Sequence, residues 1–266
     1  MSRLTQLETF ARAGFAARGV VYLLLGYFAW TTGGGEATTT VMERLAEIPA
    51  GSALLVLLAF GLAGYGLFRI YGAWIDIKGK GSDAKGLFAR TGPVLSGIAH
   101  FVLAWIAVSI AAAGRSTGSG GEEQAADMAM SLPGGAALVG FAGLVGLAAG
   151  FGNLYKGWTC AFMEDLGART PGFARLAGRA GYVARGIVFG LVGWQILALA
   201  IGWGDHDLGM DAAMATLHER EWLFPAVAAG LGLFGLFSFV MARYAEIRNE
   251  DVVRRIRAEA SRLAER

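Results

Sequence analysis

Little in this 266-residue chain is chemically reactive. A single cysteine, Cys160, excludes an internal disulfide and any multi-cysteine metal site. Histidine occurs three times, as His100, His206 and His218, and only His100 falls in a long apolar run. Haem held between two histidines inside a membrane is therefore excluded, and no metal or other cofactor is implied. Charged residues make up only 17% of the chain, and the net charge of +2 is too small to signal nucleic acid. Proline is scarce too, with five residues, so few points in the chain oblige a helix to stop.

What replaces them is apolar. Hydrophobic residues make up 55% of the chain, with a mean hydropathy of +0.50, which favours a membrane class over a soluble domain. Six runs contain no Asp, Glu, Lys or Arg: 19–35, 48–68, 91–114, 128–155, 186–204 and 222–242. A spanning helix takes roughly 20 mainly apolar residues, so six spans are expected. The first and fifth runs are short, and Arg18 and Arg185 precede them; both helices reach full length only if these arginines are included. Residues 1–12 are mixed polar and lack the pattern of a cleaved signal. The whole chain, 1–266, reads as one membrane domain.

Basic residues set the expected orientation. Loops after the odd spans hold one each, Arg44, Arg115 and Arg220, among many acids. The opposite side holds Lys78, Lys80, Lys85 and Arg90, then Arg169, Arg175 and Arg179, and an arginine-rich tail. Both termini are expected in the cytoplasm. Residues 248–266 read as a charged, solvated tail helix on the same side.

The odd spans repeat a motif. Arg12-x-Gly14-Phe15-x-x-Arg18-Gly19 matches Arg179-x-Gly181-Tyr182-x-x-Arg185-Gly186. A weaker copy, Arg90-x-Gly92-Pro93-x-x-Ser96-Gly97, has serine for the second arginine, and its His100 corresponds to Tyr22 and Phe189. Among even spans, "GYGLFRIYGAW" from Gly64 matches "LFGLFSFVMARY" from Leu233, and each even span then reaches an acid: Asp76, Glu164 and Asp165, or Glu246. The outer loops agree as well, and Thr40-x-x-Glu43 predicts a short interfacial helix. Pro93 and Pro225 are expected in first helical turns.

Three copies of a two-span unit follow: 10–78, 88–166 and 177–247. Each copy crosses twice, so all three share an orientation and are related by rotation about the membrane normal. The expected fold is an all-α integral membrane protein of six transmembrane helices with approximate threefold symmetry. The repeated signature resembles a bacterial three-repeat membrane family known as a domain of unknown function (number twelve hundred and six), over residues 10–247. That resemblance implies this fold and a bacterial inner membrane; it implies no activity. Ser96 departs from the signature, which breaks strict symmetry at the second arginine. Mitochondrial carriers share the six-in-three arithmetic, but their proline motif is absent.

Other strings read as packing or coincidence. Gly230-x-Gly232-x-x-Gly235 lies inside a span, where close helix packing replaces dinucleotide binding. Gly114-Arg115-Ser116-Thr117-Gly118 is a polar loop without the strand-to-helix turn of a nucleophile elbow. The candidate site is basic: Arg18, Arg69, His100, Lys156, Arg185 and Arg243, all toward the cytoplasmic leaflet. Snorkelling accounts for Lys156 and Arg243. Arg18 and Arg185 lie deeper, since Arg12 and Arg179 already serve the interface, so they call for a partner inside the bundle. The inner-end acids, an anionic phospholipid and a small anion all fit. Three function classes stay open: a non-enzymatic assembly or interaction protein with a membrane-protein partner, a channel or transporter for an anionic solute at the repeat axis, and a membrane enzyme. A polar lining along the axis separates transport from assembly.

Overall fold

A computed structural model describes residues 3–32, 38–113, 128–203, 213, 216–217 and 222–245. Every regular element among these is helical. The chain forms α1 (Arg3–Thr32), α2 (Thr38–Glu47), α3 (Gly51–Trp74), α4 (Ala84–Ala113), α5 (Gly135–Thr159), a 3-10 turn (Ala161–Asp165), α6 (Phe173–Ala200) and α7 (Leu223–Tyr244). All but α2 and the 3-10 turn are long and apolar enough to cross a membrane, six in total. By length and composition the chain is a multi-pass membrane protein. Exposed tryptophans sit near both ends of the spans, Trp74 and Trp158 at one and Trp30, Trp203 and Trp222 at the other. Aromatic belts of this kind suit the two membrane–water interfaces. Trp74, Trp158 and the lysine-rich loop after α3 share one end of the spans, the basic end.

The short helix expected around Thr40 is α2, which begins at Thr38. Pro225 lies in the first turn of α7, as expected. Pro93 does not lie in a first turn: α4 starts at Ala84, so the proline stands inside the helix. The lysine-rich loop gives way to helix early, because Asp83 caps the first turn by accepting a bond from the backbone N–H of Gly86 at 3.0 Å. The tail 248–266, Glu246, His206, His218 and much of the second and third outer loops lie outside the described residues.

Glycine decides how the spans meet. A Cβ built on Gly66 of α3 would come 2.8 Å from the carbonyl oxygen of Gly97 on α4. The same approach joins Gly150 of α5 to Gly186 of α6, at 3.0 Å, and Gly235 of α7 to Gly19 of α1, at 2.9 Å. Each even span thus lays a glycine on the signature glycine of the next odd span, in cyclic order. Only glycine allows backbones this close, so dispersion acts over the whole seam.

Seams within a repeat are less uniform. In α1 and α3, Gly61 faces Ala17 and Gly14 lies under Tyr65; in α6 and α7, Gly230 faces Ala184 and Gly181 lies under Phe234. No comparable seam joins α4 to α5, and Gly92 has nothing within 4 Å of its would-be Cβ. Register explains the difference. Aligning Gly66, Gly150 and Gly235 puts Leu95 and Val145 where the other repeats have an alanine–glycine pair. Two branched side chains hold the backbones apart where Ala and Gly let them touch. The spans therefore form an arc in the order α4, α3, α1, α7, α6, α5, open between its ends. In α4 and α5 only 22% of the apolar stretch is buried, against 33% or more in the other four.

Candidate functional site

Arg18 is buried at 5% exposure, in the middle of the arc. Its Nε donates to Ser238 Oγ on α7 at 3.1 Å, and its Nη1 donates to the Tyr65 hydroxyl on α3 at 2.9 Å. The Ser238 hydroxyl itself donates to the Phe234 carbonyl at 2.8 Å. The guanidinium carbon lies 4.9 to 5.1 Å from the ring centres of Phe15, Tyr65 and Phe234. A cation in a desolvated aromatic box gains on the order of 2 kcal/mol from the ring quadrupoles. That only partly offsets the cost of a buried charge.

Arg185 approaches the same centre from α6. Its guanidinium lies 4.5 Å from the Phe234 ring, 4.9 Å from Phe189 and 5.2 Å from Tyr22. Phe234, fully buried, is thus shared by both repeated arginines. Register places Phe234 where repeat one has Tyr65, so the hydroxyl that receives Arg18 has no counterpart for Arg185. Arg69 stands one turn beyond Tyr65 on α3, 6.0 Å from that ring.

His100 lies on α4 with its ring 4.6 Å from Tyr65, and its Nδ1 donates to the Ser96 carbonyl at 2.6 Å. His100 is therefore held by the backbone of its own helix, in a bond in which the Ser96 side chain takes no part. Lys156, on the exposed side of α5, has its ammonium 5.9 Å from the Tyr182 ring. Tyr65 meets Arg18, Arg69 and His100, the Phe234 ring joins Arg18 to Arg185, and Tyr182, 5.2 Å from Phe234, joins Lys156 to the same cluster. Five of the six candidates thus share one neighbourhood. Arg243 does not: it is exposed and lies 5.6 Å from the ring of the adjacent Tyr244.

Two of the acids expected as partners, Asp76 and Asp165, are engaged elsewhere. Asp76 accepts bonds from the backbone N–H groups of Lys80 and Gly81, each at 2.7 Å, and lies 3.9 Å from Arg90. Asp165 pairs with Lys78 at 2.7 Å, tying the loops after α3 and α5 together. Glu164 is exposed. Among the described residues, no carboxylate pairs with Arg18, Arg69 or Arg185. Among the described residues, three buried side-chain nitrogens lack a hydrogen-bond partner: Arg18 Nη2, Arg69 Nε and Arg185 Nε. Arg18 is buried and Arg69 and Arg185 are half-buried, and an unmet donor at a buried nitrogen is unusual and expensive. Guanidinium donors of this kind match the oxygens of a carboxylate or phosphate.

Tyr65, Phe234 and Ser238 belong to this site although sequence reasoning did not single them out. The even-span alignment contained all three, but apolar rings and a lone serine in a span look like ordinary packing. Among the described residues no group of His, Cys, Asp and Glu could hold a metal ion. Cys160 is a buried free thiol.

Comparison with known proteins adds no chemistry. The chain is 28% identical over 262 residues to "Uncharacterized protein YxxB" of Bacillus subtilis (strain 168), covering 92% of this chain and 95% of that one. No solved structure matches it. A family match falls on three consecutive segments, 13–76, 91–159 and 180–245, one for each pair of spans. With most of its length accounted for in this way, the chain belongs to the three-repeat family described as Domain of Unknown Function (DUF1206).

Proposed function

We propose that this is a non-enzymatic protein of the bacterial inner membrane whose basic pocket, in the cytoplasmic half, holds an anionic group. The observation that carries the reading is the set of three buried guanidinium nitrogens with no partner among the described residues. Both termini lie in the cytoplasm on this reading, because the lysine-rich loop and the trio Arg169, Arg175 and Arg179 share the basic end. The cyclic glycine seams support an approximate threefold arrangement about the membrane normal, relaxed in the second repeat. An anion-binding scaffold fits better than a pore. Beyond the pocket, the arc is filled by Val21, Leu25, Ala29, Val188, Val227 and Leu231, all buried and apolar.

Native mass spectrometry of the purified chain tests this. The wild type should retain an anionic species that Arg185→Gln loses. If the wild type retains none, and adding phosphate or anionic lipid leaves its melting temperature unchanged, the reading is wrong.

A further inference from the structure

The geometry points to an anionic glycerophospholipid as the occupant of the pocket, entering sideways between α4 and α5. This rests on the anion-binding reading and identifies its ligand and route. Two observations beyond the unmet donors carry it.

The first is a missing side chain. With Gly66, Gly150 and Gly235 in register, Ala149 of α5 stands where α3 has Tyr65 and α7 has Phe234. Two aromatic rings fill the centre from repeats one and three, while repeat two contributes a methyl group. Ala149 is also exposed, whereas Tyr65 and Phe234 are buried. The side of the arc where the α4–α5 seam is absent therefore lacks the ring that the other two repeats supply, and a Cβ on Gly92 would meet nothing within 4 Å.

The second is the direction of access. At the basic end, Phe162 stacks on Tyr182 at 5.1 Å and meets Phe237 edge-on at 4.9 Å. The Gly167 N–H donates to the Tyr244 carbonyl at 2.9 Å, and the Lys78–Asp165 pair spans the loops beside them. A hydrated anion arriving from the water meets this cover. A lipid already in the bilayer meets an open flank, with apolar helix faces for its acyl chains and Lys156 exposed on α5. Lys156 rests on the Tyr182 ring, which packs on the Phe234 ring that Arg18 and Arg185 share, so it forms the exposed edge of the basic cluster. A phosphodiester brings the charge and acceptor oxygens that Arg185 lacks without leaving the membrane.

The test uses the full chain in a neutral detergent and reads the melting temperature against three probes: inorganic phosphate, dioleoyl phosphatidylglycerol and dioleoyl phosphatidylcholine. Phosphatidylglycerol should stabilise the wild type at a concentration at least tenfold below that needed for phosphate, and phosphatidylcholine should do nothing. Ala149→Phe, which restores the missing ring, should weaken the phosphatidylglycerol response at least tenfold. Arg185→Gln should abolish it; Lys156→Gln, altering an exposed side chain, gives the same readout should the arginine variant not fold. Phosphatidylglycerol no better than phosphatidylcholine, with phosphate still active, overturns the lipid and leaves the anion site standing. An unchanged phosphatidylglycerol response in Ala149→Phe, or in Lys156→Gln and Arg185→Gln, overturns the lateral route or the basic site respectively. No response to either anionic probe removes the anion-binding reading as well.

Discussion

Arg18 donates to the Tyr65 hydroxyl at 2.9 Å, and this bond separates the roles of two arginines that look alike in the sequence. Arg18 is held by hydroxyls from α3 and α7, so it links repeats one and three. Arg185 has rings around it and, among the described residues, no acceptor for its Nε. One arginine is built into the fold, and the other is left available.

Removing the hydroxyl should therefore be costly. Tyr65→Phe leaves the ring in place but strips a buried guanidinium of its acceptor, at about 1–3 kcal/mol. Ser238→Ala should cost less, because the Ser238 hydroxyl is already committed to the Phe234 carbonyl. Reversible unfolding in mixed micelles measures both. A double-mutant cycle with Arg18→Met should return most of the Tyr65→Phe loss as coupling energy. Additive losses would mean that the bond contributes nothing.

Phe234 should be more sensitive than its neighbour Phe237. Both are fully buried, but only Phe234 lies between the guanidiniums of Arg18 and Arg185. Phe234→Leu loses ring packing and two cation–π contacts, so it should exceed Phe237→Leu by about 1–2 kcal/mol. In an Arg185→Met background that excess should shrink. Equal losses in both backgrounds would reduce Phe234 to a plain core residue.

Much of this is legible in the sequence, and what is legible has a strong physical signal. Six charge-free runs, the repeated Arg-x-Gly-aromatic signature and the glycines that seat α1 on α7 are periodic and costly to place by accident. Arg18 and Arg185 stood out because a charge deep in a span needs a reason. Two things were not legible. Pairing Arg18 with Tyr65 depends on the relative rotation of α1 and α3, which hydropathy does not encode. The open α4–α5 seam depends on Leu95 and Val145 replacing Ala and Gly, a change that leaves both helices equally apolar. Pro93 misled for a related reason: a charge-free run beginning at Thr91 looks like a helix start, but Asp83 starts the helix a full two turns earlier.

Reporter fusions test the orientation. Fusions after Gly35, Gly118 and His206 should report the outer side, and one after Lys80 the cytoplasm, because the lysine and arginine excess lies on the Lys80 side. An outer-side signal from the Lys80 fusion would invert the assignment and move the basic pocket to the other leaflet.

Glycine-to-alanine scanning at the three signature positions separates a closed seam from an open one. At Gly14 and Gly181 an added methyl runs into the backbone and Cβ of Tyr65 and Phe234, which cannot swing aside as a flexible chain end could. Each substitution should cost about 1–3 kcal/mol through overpacking, net of the helix propensity that alanine gains over glycine. At Gly92 nothing lies within 4 Å, so only the propensity gain remains, and Gly92→Ala should be neutral or stabilise by up to about 1 kcal/mol. Thermal unfolding of the three variants in one detergent ranks them directly. A Gly92→Ala loss as large as the other two would mean that α4 and α5 close on each other after all, removing the lateral opening together with its lipid.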